Sequence, residues 1–386
     1  MAGPSPASVL APLPCFLTGA LDAVQVTRLD IRHLRRFDDV SLAPAPGLNL
    51  LIGDNGAGKT SVIEALHLMA YGRSFRGRVR EGLVQAGADA VEVFVEWDEA
   101  GKAGDRTRRA GLRHSGGDWA GRLDGQPVGQ IGELCAALAV VTFEPGSHEL
   151  VHGSSEVRRR FLDWGLFHVE HGFLRPWRRY ARALKQRNIL LKQRVRDAQL
   201  DAWDAELAET GEELTEQRQR YVSALAPGFA AVTEELAPGL GAATLSYSPG
   251  WRREELSLSD ALLLARDRDL QAGHTSVGPH RADWRPAFVA IPGRDALSRG
   301  QAKLAALSAL LAQADFHAEA TGQQPVFALD DLASELDRHH QRRVLQRLAE
   351  RGSQVFVSGT DVPTPVAELG LSPKVFHVEH GRISPV

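Results

Sequence analysis

Cysteine is scarce in this chain of 386 residues, which contains only Cys15 and Cys135. Neither belongs to a CxxC pair, so the sequence offers no disulfide framework and no cysteine zinc site, and it fits a reducing compartment. No apolar run approaches the roughly 18 residues of a membrane span. Residues 1–20 lack the positively charged start of a secretory signal. We therefore expect a cytoplasmic protein with no membrane partner.

The chain also lacks a large excess of charge, because its formal net charge is −3 and its pI is near 6.5. This balance gives no overall attraction to nucleic acid or to an anionic membrane, so any such binding must come from a local patch. Hydrophobic residues make up 43% of the sequence, which is ordinary for a globular protein. The length allows about two or three domains or lobes.

A phosphate-binding loop is the clearest motif. Residues 53–60 match G-x-x-x-x-G-K-[ST] in full, between a short apolar run at 48–52 and a helical pattern at 61–70. We expect Lys59 to reach the β and γ phosphates and Thr60 to offer its hydroxyl to Mg²⁺, whereas an ordinary glycine turn is the weaker alternative. The predicted ATP or GTP contacts are Gly53, Asp54, Asn55, Gly56, Ala57, Gly58, Lys59, Thr60 and Ser61.

Strand patterns surround this loop. We expect an edge strand at residues 24–31, a hairpin at 34–42 and a small antiparallel sheet at 90–97 and 107–123. Buried strands are predicted at 136–143, 324–331 and 354–361, with a final hairpin at 374–383. Residues 1–23 are predicted to be a disordered extension.

The stretch from residue 157 to 271 is predicted to be mainly helical, and its charge is polarised. Residues 157–196 carry twelve Arg and Lys against two acids, a net of +10, and residues 197–255 carry twelve acids against four arginines, a net of −8. A basic face would suit a DNA backbone, although the arginines could instead pair with the acidic second half. The candidate DNA contacts, with one from the loop after the first helix, are Arg76, Arg158, Arg159, Arg178, Arg179, Lys185 and Arg187.

Two later segments distinguish among phosphate-loop proteins. Residues 298–301, Ser-Arg-Gly-Gln, resemble the signature of the ABC-type ATPase superfamily, and Asp330 at a strand end resembles its Walker B aspartate. Asp331 then stands at the position of the catalytic carboxylate, and residues 334–337 resemble the loop that contacts the opposite subunit. On this resemblance Lys59 and Asp330 belong to one nucleotide site although they are 330 − 59 = 271 positions apart, which implies that the helical stretch is an insertion within one ATPase domain. The expected division is 24–144, an inserted lobe at 145–271, and 272–386.

Seven segments resemble motifs of a single family within this superfamily. They lie at residues 29–38, 53–60, 158–163, 184–188, 278–281, 332–337 and 376–381. In combination they resemble the RecF family of bacterial DNA replication and repair proteins. One departure is Pro-Gly-Ser-His at 145–148, where the family usually has Pro-Glu-Asp-Leu.

The resemblance implies an α/β fold: an ABC-type ATPase head with a mixed phosphate-loop sheet, flanking helices and the inserted lobe. It also implies ATP and Mg²⁺, with Thr60 and Asp330 at the metal, and catalytic roles for Lys59, Asp331 and Ser298. In such proteins Ser298, Gly300 and Gln301 would complete the site of a second subunit, giving an ATP-dependent homodimer. Asp331 is one methylene shorter than the more usual glutamate, so we expect a slow ATPase in which ATP acts mainly as a switch.

In function, the resemblance implies binding to gapped, single-stranded and junction DNA, and help to RecO and RecR in loading RecA. An SMC-like structural ATPase that bridges DNA is the alternative, and the lack of a long coiled-coil pattern disfavours it. A metabolic kinase or GTPase would leave residues 298–301 and 334–337 unexplained.

Overall fold

A computed structural model describes residues 22–76, 82–99, 106–115, 118–195, 198–293 and 296–386. Most of the predicted extension at 1–23 lies outside these ranges. The strands are β1 (Asp22–Leu34), β2 (Phe37–Leu42), β3 (Leu48–Ile52), β4 (Val91–Glu99), β5 (Arg106–His114), β6 (Trp119–Leu123), β7 (Gln126–Pro127), β8 (Val140–Phe143), β9 (Ala243–Ser248), β10 (Asp283–Phe288), β11 (Gln323–Gln324), β12 (Val326–Leu329), β13 (Val355–Gly359), β14 (Lys374–Glu379) and β15 (Arg382–Pro385). The α-helices are α1 (Lys59–Tyr71), α2 (Ile131–Ala137), α3 (Glu149–His152), α4 (Ser155–Val169), α5 (Leu174–Lys192), α6 (Ala198–Leu236), α7 (Leu258–Ala272), α8 (Arg299–Thr321), α9 (Leu332–Glu335), α10 (Arg338–Glu350) and α11 (Thr364–Glu368).

The central sheet has the strand order β15-β14-β3-β13-β12-β8. Five of its strands run parallel, and β15 is antiparallel to β14. Its inner strands are apolar and buried, as parallel strands covered on both faces should be. The strand predicted at 136–143 is confirmed only in its second half, because α2 takes residues 131–137. The carboxyl ends of these strands meet at one edge, where ligands of such sheets bind.

A second, mainly antiparallel sheet has the order β11-β1-β4-β5-β6-β7, with β2 also on β1. The predicted alternation is confirmed, since Val91, Val93 and Val95 turn inward and are buried. The prediction of an edge strand is wrong, because Asp30 of β1 pairs with β2 on one side and with β4 on the other. Helix α1 packs in the core that these two sheets share, and every residue from 61 to 70 is buried.

The inserted lobe is mainly helical, as predicted, and its longest element is the 39-residue helix α6. Although residues 206–221 carry many charges, they are not a solvated helix, because α6 buries Leu207, Leu214 and Tyr221 in a core shared with α5 and α8. The predicted boundary after residue 271 stays a prediction. Strand β9, which comes before this boundary, pairs over six residue pairs with β10, which comes after it, so strand pairing continues across the boundary to Phe288.

Candidate nucleotide site

The loop from Gly53 to Gly58 joins β3 to α1 at the carboxyl edge of the central sheet. The chain passes so close to β14 that a Cβ atom on Gly53 would lie 2.1 Å from the Val378 carbonyl oxygen. Gly58, with φ of 122°, precedes the first turn of α1 and packs against the Phe37 ring. Glycine is therefore required at both ends of the loop. The backbone amide groups at the start of α1, which have no partner within the helix, face a cavity of about 630 Å³.

Lys59 is buried within this loop although its side chain carries a charge. Its Nζ atom donates hydrogen bonds to the carbonyl oxygens of Gly53 at 2.6 Å and Asp54 at 2.8 Å. The loop backbone therefore holds the ammonium group at the cavity wall. An ammonium group and helix N-terminal amides in one cavity form an anion site suited to phosphates.

Thr60 and Asp330 lie together across the edge of the sheet, as the motifs predicted. The Ser358 hydroxyl donates to the Asp330 carboxylate at 2.6 Å. Burial raises the pKa of Asp330, and the Ser358 and Thr60 hydroxyls beside the carboxylate oppose the shift. A hydroxyl beside a buried carboxylate is an oxygen ligand set of the kind that Mg²⁺ prefers, so these residues fit that ion.

Asp331 lines the same cavity and adopts a left-handed conformation with φ of 51°. Its backbone N–H donates to the Ser358 hydroxyl at 2.9 Å, so Ser358 holds both members of the acidic pair. The short helix α9 begins immediately after it. This bend turns Asp331 out of the strand direction and towards the loop that carries Lys59.

Three arginines border the cavity, and two of them, Arg35 and Arg36, were not predicted as nucleotide contacts. Arg35 and Arg36 come from the β1–β2 hairpin, and Arg76 follows α1. Arg36 donates to the Gly56 carbonyl at 2.9 Å, and Arg35 pairs with the fully buried Glu64 of α1. Arg76 was predicted to contact DNA, but it lies at the nucleotide cavity. The signal available in the sequence was the arginine pair directly after the first strand.

Glu144 directly follows β8 and lies near Asp330, and it is a further carboxylate at this edge that sequence reasoning missed. Burial raises its pKa to about 7, with repulsion from Asp330 adding to the shift and the Gly146 N–H opposing it. It faces a neighbouring cavity of about 550 Å³ between α1 and the inserted lobe. The sequence signal for this residue was an acid directly after a buried strand. It was missed because Glu144 adjoins residues 145–148, where the chain departs from the family pattern.

The signature residues lie apart from this cavity. Ser298 caps α8, accepting from the Gln301 backbone N–H while the Gln301 side chain accepts from the Ser298 N–H. Ser298 and Gly300 are exposed, and none of the described residues that line the 630 Å³ cavity belongs to this segment. The structure thus brings together the loop, Thr60, Asp330 and Asp331, and leaves the start of α8 open to solvent.

The DNA candidates in the lobe divide by burial. Arg158 is 2% exposed and pairs with Asp283, and Arg187 is fully buried between Asp204 and Asp269. The prediction that these two contact DNA is therefore wrong, because paired and buried guanidinium groups cannot reach a phosphate.

The other four candidates differ in how they are paired. Arg159 donates to Ser155 and to the Ala282 carbonyl, and Arg179 pairs with Glu206 and Glu209. Arg178 and Lys185 form no salt bridge with any described residue. The alternative in which basic residues pair with the acidic half therefore holds for Arg179 and Arg187 and leaves Arg178 and Lys185 available.

A phosphate loop after β3, an acidic pair after β12 that Ser358 of the intervening strand β13 holds, and a separate signature helix define a phosphate-loop ATPase head of the ABC type. The family model described as the RecF/RecN/SMC N terminal domain matches residues 25–380. The chain therefore belongs to this family, and its curated relatives show that it belongs to the RecF group of DNA replication and repair proteins.

The relatives cover nearly the whole chain. It is 65% identical over 362 residues to the DNA replication and repair protein RecF of Xanthomonas euvesicatoria pv. vesicatoria (strain 85-10), spanning 94% of this chain and 98% of the relative. It is 35% identical to the protein of that name from Shewanella loihica (strain ATCC BAA-1088 / PV-4), over 94% and 99%.

Solved structures agree on the fold. The structure of the recombination mediator protein RecF-ATP in the RecFOR pathway superposes with a TM-score of 0.85 at 24% identity, covering 96% of this chain and all of that chain. An Smc head domain from Pyrococcus furiosus superposes with a TM-score of 0.55 at 16% identity, covering 94% and 96%. Among the described helices, none is long and apolar enough to cross a bilayer.

Proposed function

We propose that this protein is an ATP-dependent DNA-binding switch of recombinational repair, in which ATP joins two subunits on DNA. The observation that carries the proposal is the division of one nucleotide site between two surfaces. The loop and acidic pair form a cavity, while the capped start of α8 with Ser298 is exposed elsewhere on the chain. In this proposal a second copy brings its own α8 to that cavity, and the similarity to ATP-bound RecF supports ATP as the nucleotide.

The residues of the cavity supply slow hydrolysis in this proposal. The loop amides and Lys59 hold the phosphates, and Asp331 orients or deprotonates the attacking water. Thr60 and Asp330 hold Mg²⁺, which neutralises phosphate charge when bound. Ser298 of the opposite subunit closes the site. Because Asp331 is short, ATP would remain long enough to act as a dimerisation signal.

Helix α5 supplies the proposed duplex-binding surface. Five basic residues recur at intervals of three, four or seven along it, which places them on one face: Arg175, Arg178, Arg182, Lys185 and Lys192. None forms a salt bridge with any residue that the structure describes. Arg179 has the same spacing but pairs with Glu206 and Glu209, and Arg187 is buried between Asp204 and Asp269. We call these five residues the α5 stripe. It spans about 25 Å, so it can follow several phosphates of a DNA backbone.

The biological role that follows is binding at gapped or junction DNA in the cytoplasm, where the ATP dimer helps RecO and RecR to load RecA. The second candidate function is that of an SMC-like ATPase that bridges DNA segments, and the fold similarity to Smc heads supports it. Bridging would make one complex hold two duplexes. A pull-down of one labelled duplex by another, at equal ATP, separates the two functions.

The deciding experiment measures mass in solution with and without ATP·Mg²⁺ and a short gapped duplex. We expect the wild type to dimerise only with ATP and to hold DNA more tightly when it does. Lys59→Met should lose nucleotide binding, and Ser298→Arg should bind ATP but remain monomeric. If ATP binds while mass and DNA affinity never change, a monomeric nucleotide-binding role replaces the switch.

A further inference from the structure

The outward side of the antiparallel sheet carries a shallow concavity of about 740 Å³. It lies on the far side of the sheet from α1, because the inward residues of β4 and β5 pack into the core. We call this surface, built by the outward side chains of β1, β4, β5 and β6, the sheet face. It is separate from both the nucleotide cavity and the α5 stripe.

A gap at Gly111 is the centre of the sheet face. In the strand register Gly111 of β5 is opposite Phe94 of β4 on one side and Arg122 of β6 on the other. A Cβ atom at Gly111 would meet nothing within 4 Å. Since neighbouring strands lie about 4.8 Å apart, a ring and a guanidinium group flank bare backbone across about 10 Å.

Two arginines beside the gap have unused charge. Arg122 is opposite Gly111, and Arg109 lies two residues before Gly111 on the same side of β5. Both are exposed, and neither side chain forms a hydrogen bond or salt bridge with any described residue. By contrast, Arg28 and Arg113 on the same face pair with acids of the sheet. The free cations are therefore concentrated around the gap.

Phe94 offers the apolar half of the site. Its side chain is only partly buried although it lies on the solvent side of the sheet. The Arg28 guanidinium lies 5.7 Å from the centre of its ring, held there by Asp30. Nucleic-acid bases stack both on aromatic rings and on guanidinium planes.

We propose that the sheet face binds single-stranded nucleic acid. A base stacks at Phe94, its sugar lies over the bare backbone at Gly111, and its phosphate pairs with Arg122. Arg109 takes a neighbouring phosphate. A duplex cannot use this surface in the same way, because its bases already stack on one another. The inference rests on the DNA-binding role proposed above and assigns a form of DNA to one surface, with the α5 stripe left for duplex.

The test measures binding of a fluorescent twelve-nucleotide oligodeoxythymidylate to the full chain by anisotropy. Gly111→Val fills the gap with a residue that strands favour, so it should weaken binding at least tenfold without loss of folding. Phe94→Ala should weaken binding roughly tenfold, while Phe94→Tyr keeps a ring and should keep the affinity. Arg106→Ala is the matched control, because Arg106 is an exposed arginine on the opposite side of β5.

Salt dependence separates the two halves of the site. Arg122→Ala should lower the slope of log affinity against log salt by about 0.7, the value for one single-strand phosphate, whereas Phe94→Ala should leave the slope unchanged. The inference is overturned if Gly111→Val, Phe94→Ala and Arg122→Ala all bind the oligonucleotide as tightly as Arg106→Ala does. Duplex affinity is measured in parallel, and its dependence on the α5 stripe tests the proposed function independently.

Discussion

Ser358 at the end of β13 fixes the geometry of the acidic pair, because its hydroxyl donates to the Asp330 carboxylate and accepts from the Asp331 backbone N–H. These contacts depend on β13 lying next to β12 in the central sheet. The Thr60 hydroxyl acts on the same carboxylate although 330 − 60 = 270 positions separate the two residues. A single serine at the end of a buried strand has no distinguishing sequence pattern, so its role becomes visible only in the fold.

Asp331→Asn tests the predicted water-activating carboxylate. Asparagine also tolerates the left-handed conformation of this position, so the backbone should be preserved. We expect phosphate release to fall about a hundredfold or more, since a general base contributes at least that factor. The ATP-bound dimer should persist correspondingly longer in sizing. Asp118→Asn, an exposed change in the β5–β6 hairpin, is the control, and equal turnover in both variants would remove Asp331 from this role.

Glu144→Gln tests the missed carboxylate through stability. The pKa of Glu144 is raised from 4.5 to about 7, so the folded state binds this proton more tightly than the unfolded chain. The free energy of unfolding therefore falls as pH rises from about 4.5 to 7. Glutamine keeps the shape without the charge and should stabilise the protein by about 2–3 kcal/mol at pH 8, with little change at pH 4. Urea unfolding without nucleotide measures this, and equal curves at pH 8 would contradict it.

At the scale of elements, prediction succeeded where the pattern is local. The apolar run at 48–52 gave β3 with its observed bounds, and the alternation from Val91 gave β4. It failed where long-range packing decides. Strand β9 is defined by pairing with β10 about forty residues later, and α6 is buried because α5 and α8 cover it. A polar sequence does not reveal which of its faces will be covered.

Helix α5 shows the same limit for charge, because its basic residues look alike in sequence and differ in the fold. The double variant Arg178→Glu/Lys185→Glu should bind duplex at least about tenfold more weakly at 100 mM salt. The slope of log affinity against log salt should fall by about 1.8, which corresponds to the loss of two phosphate contacts. Arg187→Ala should instead destabilise the lobe by about 3–5 kcal/mol, since it leaves Asp204 and Asp269 without their buried partner. Anisotropy and urea unfolding on both proteins give this contrast. A double variant that binds duplex normally would place the DNA surface elsewhere.

For the whole molecule, the central question is whether one chain contains one site or two halves of different sites. Lys59 faces the cavity, whereas Ser298 starts an exposed helix that does not line it. In a two-fold dimer each site would combine the Lys59 of one subunit with the Ser298 of the other. The sequence motifs predicted both half-sites, but their separation on the surface could be seen only once the chain was folded.

Mixing two inactive variants tests this arrangement directly. Lys59→Met alone and Ser298→Arg alone should each lack ATPase activity, because neither variant by itself can assemble a site with an intact loop and an intact signature. In the mixed dimer, one site combines both defects and the other combines an intact loop with an intact signature. Since neither variant dimerises with itself in ATP, the dimers of an equal mixture are mixed ones with one intact site in two, so phosphate release should rise from none to at most about half of the wild-type value. If both residues served one site within a single chain, no mixture could regain activity, because no chain would carry both intact residues.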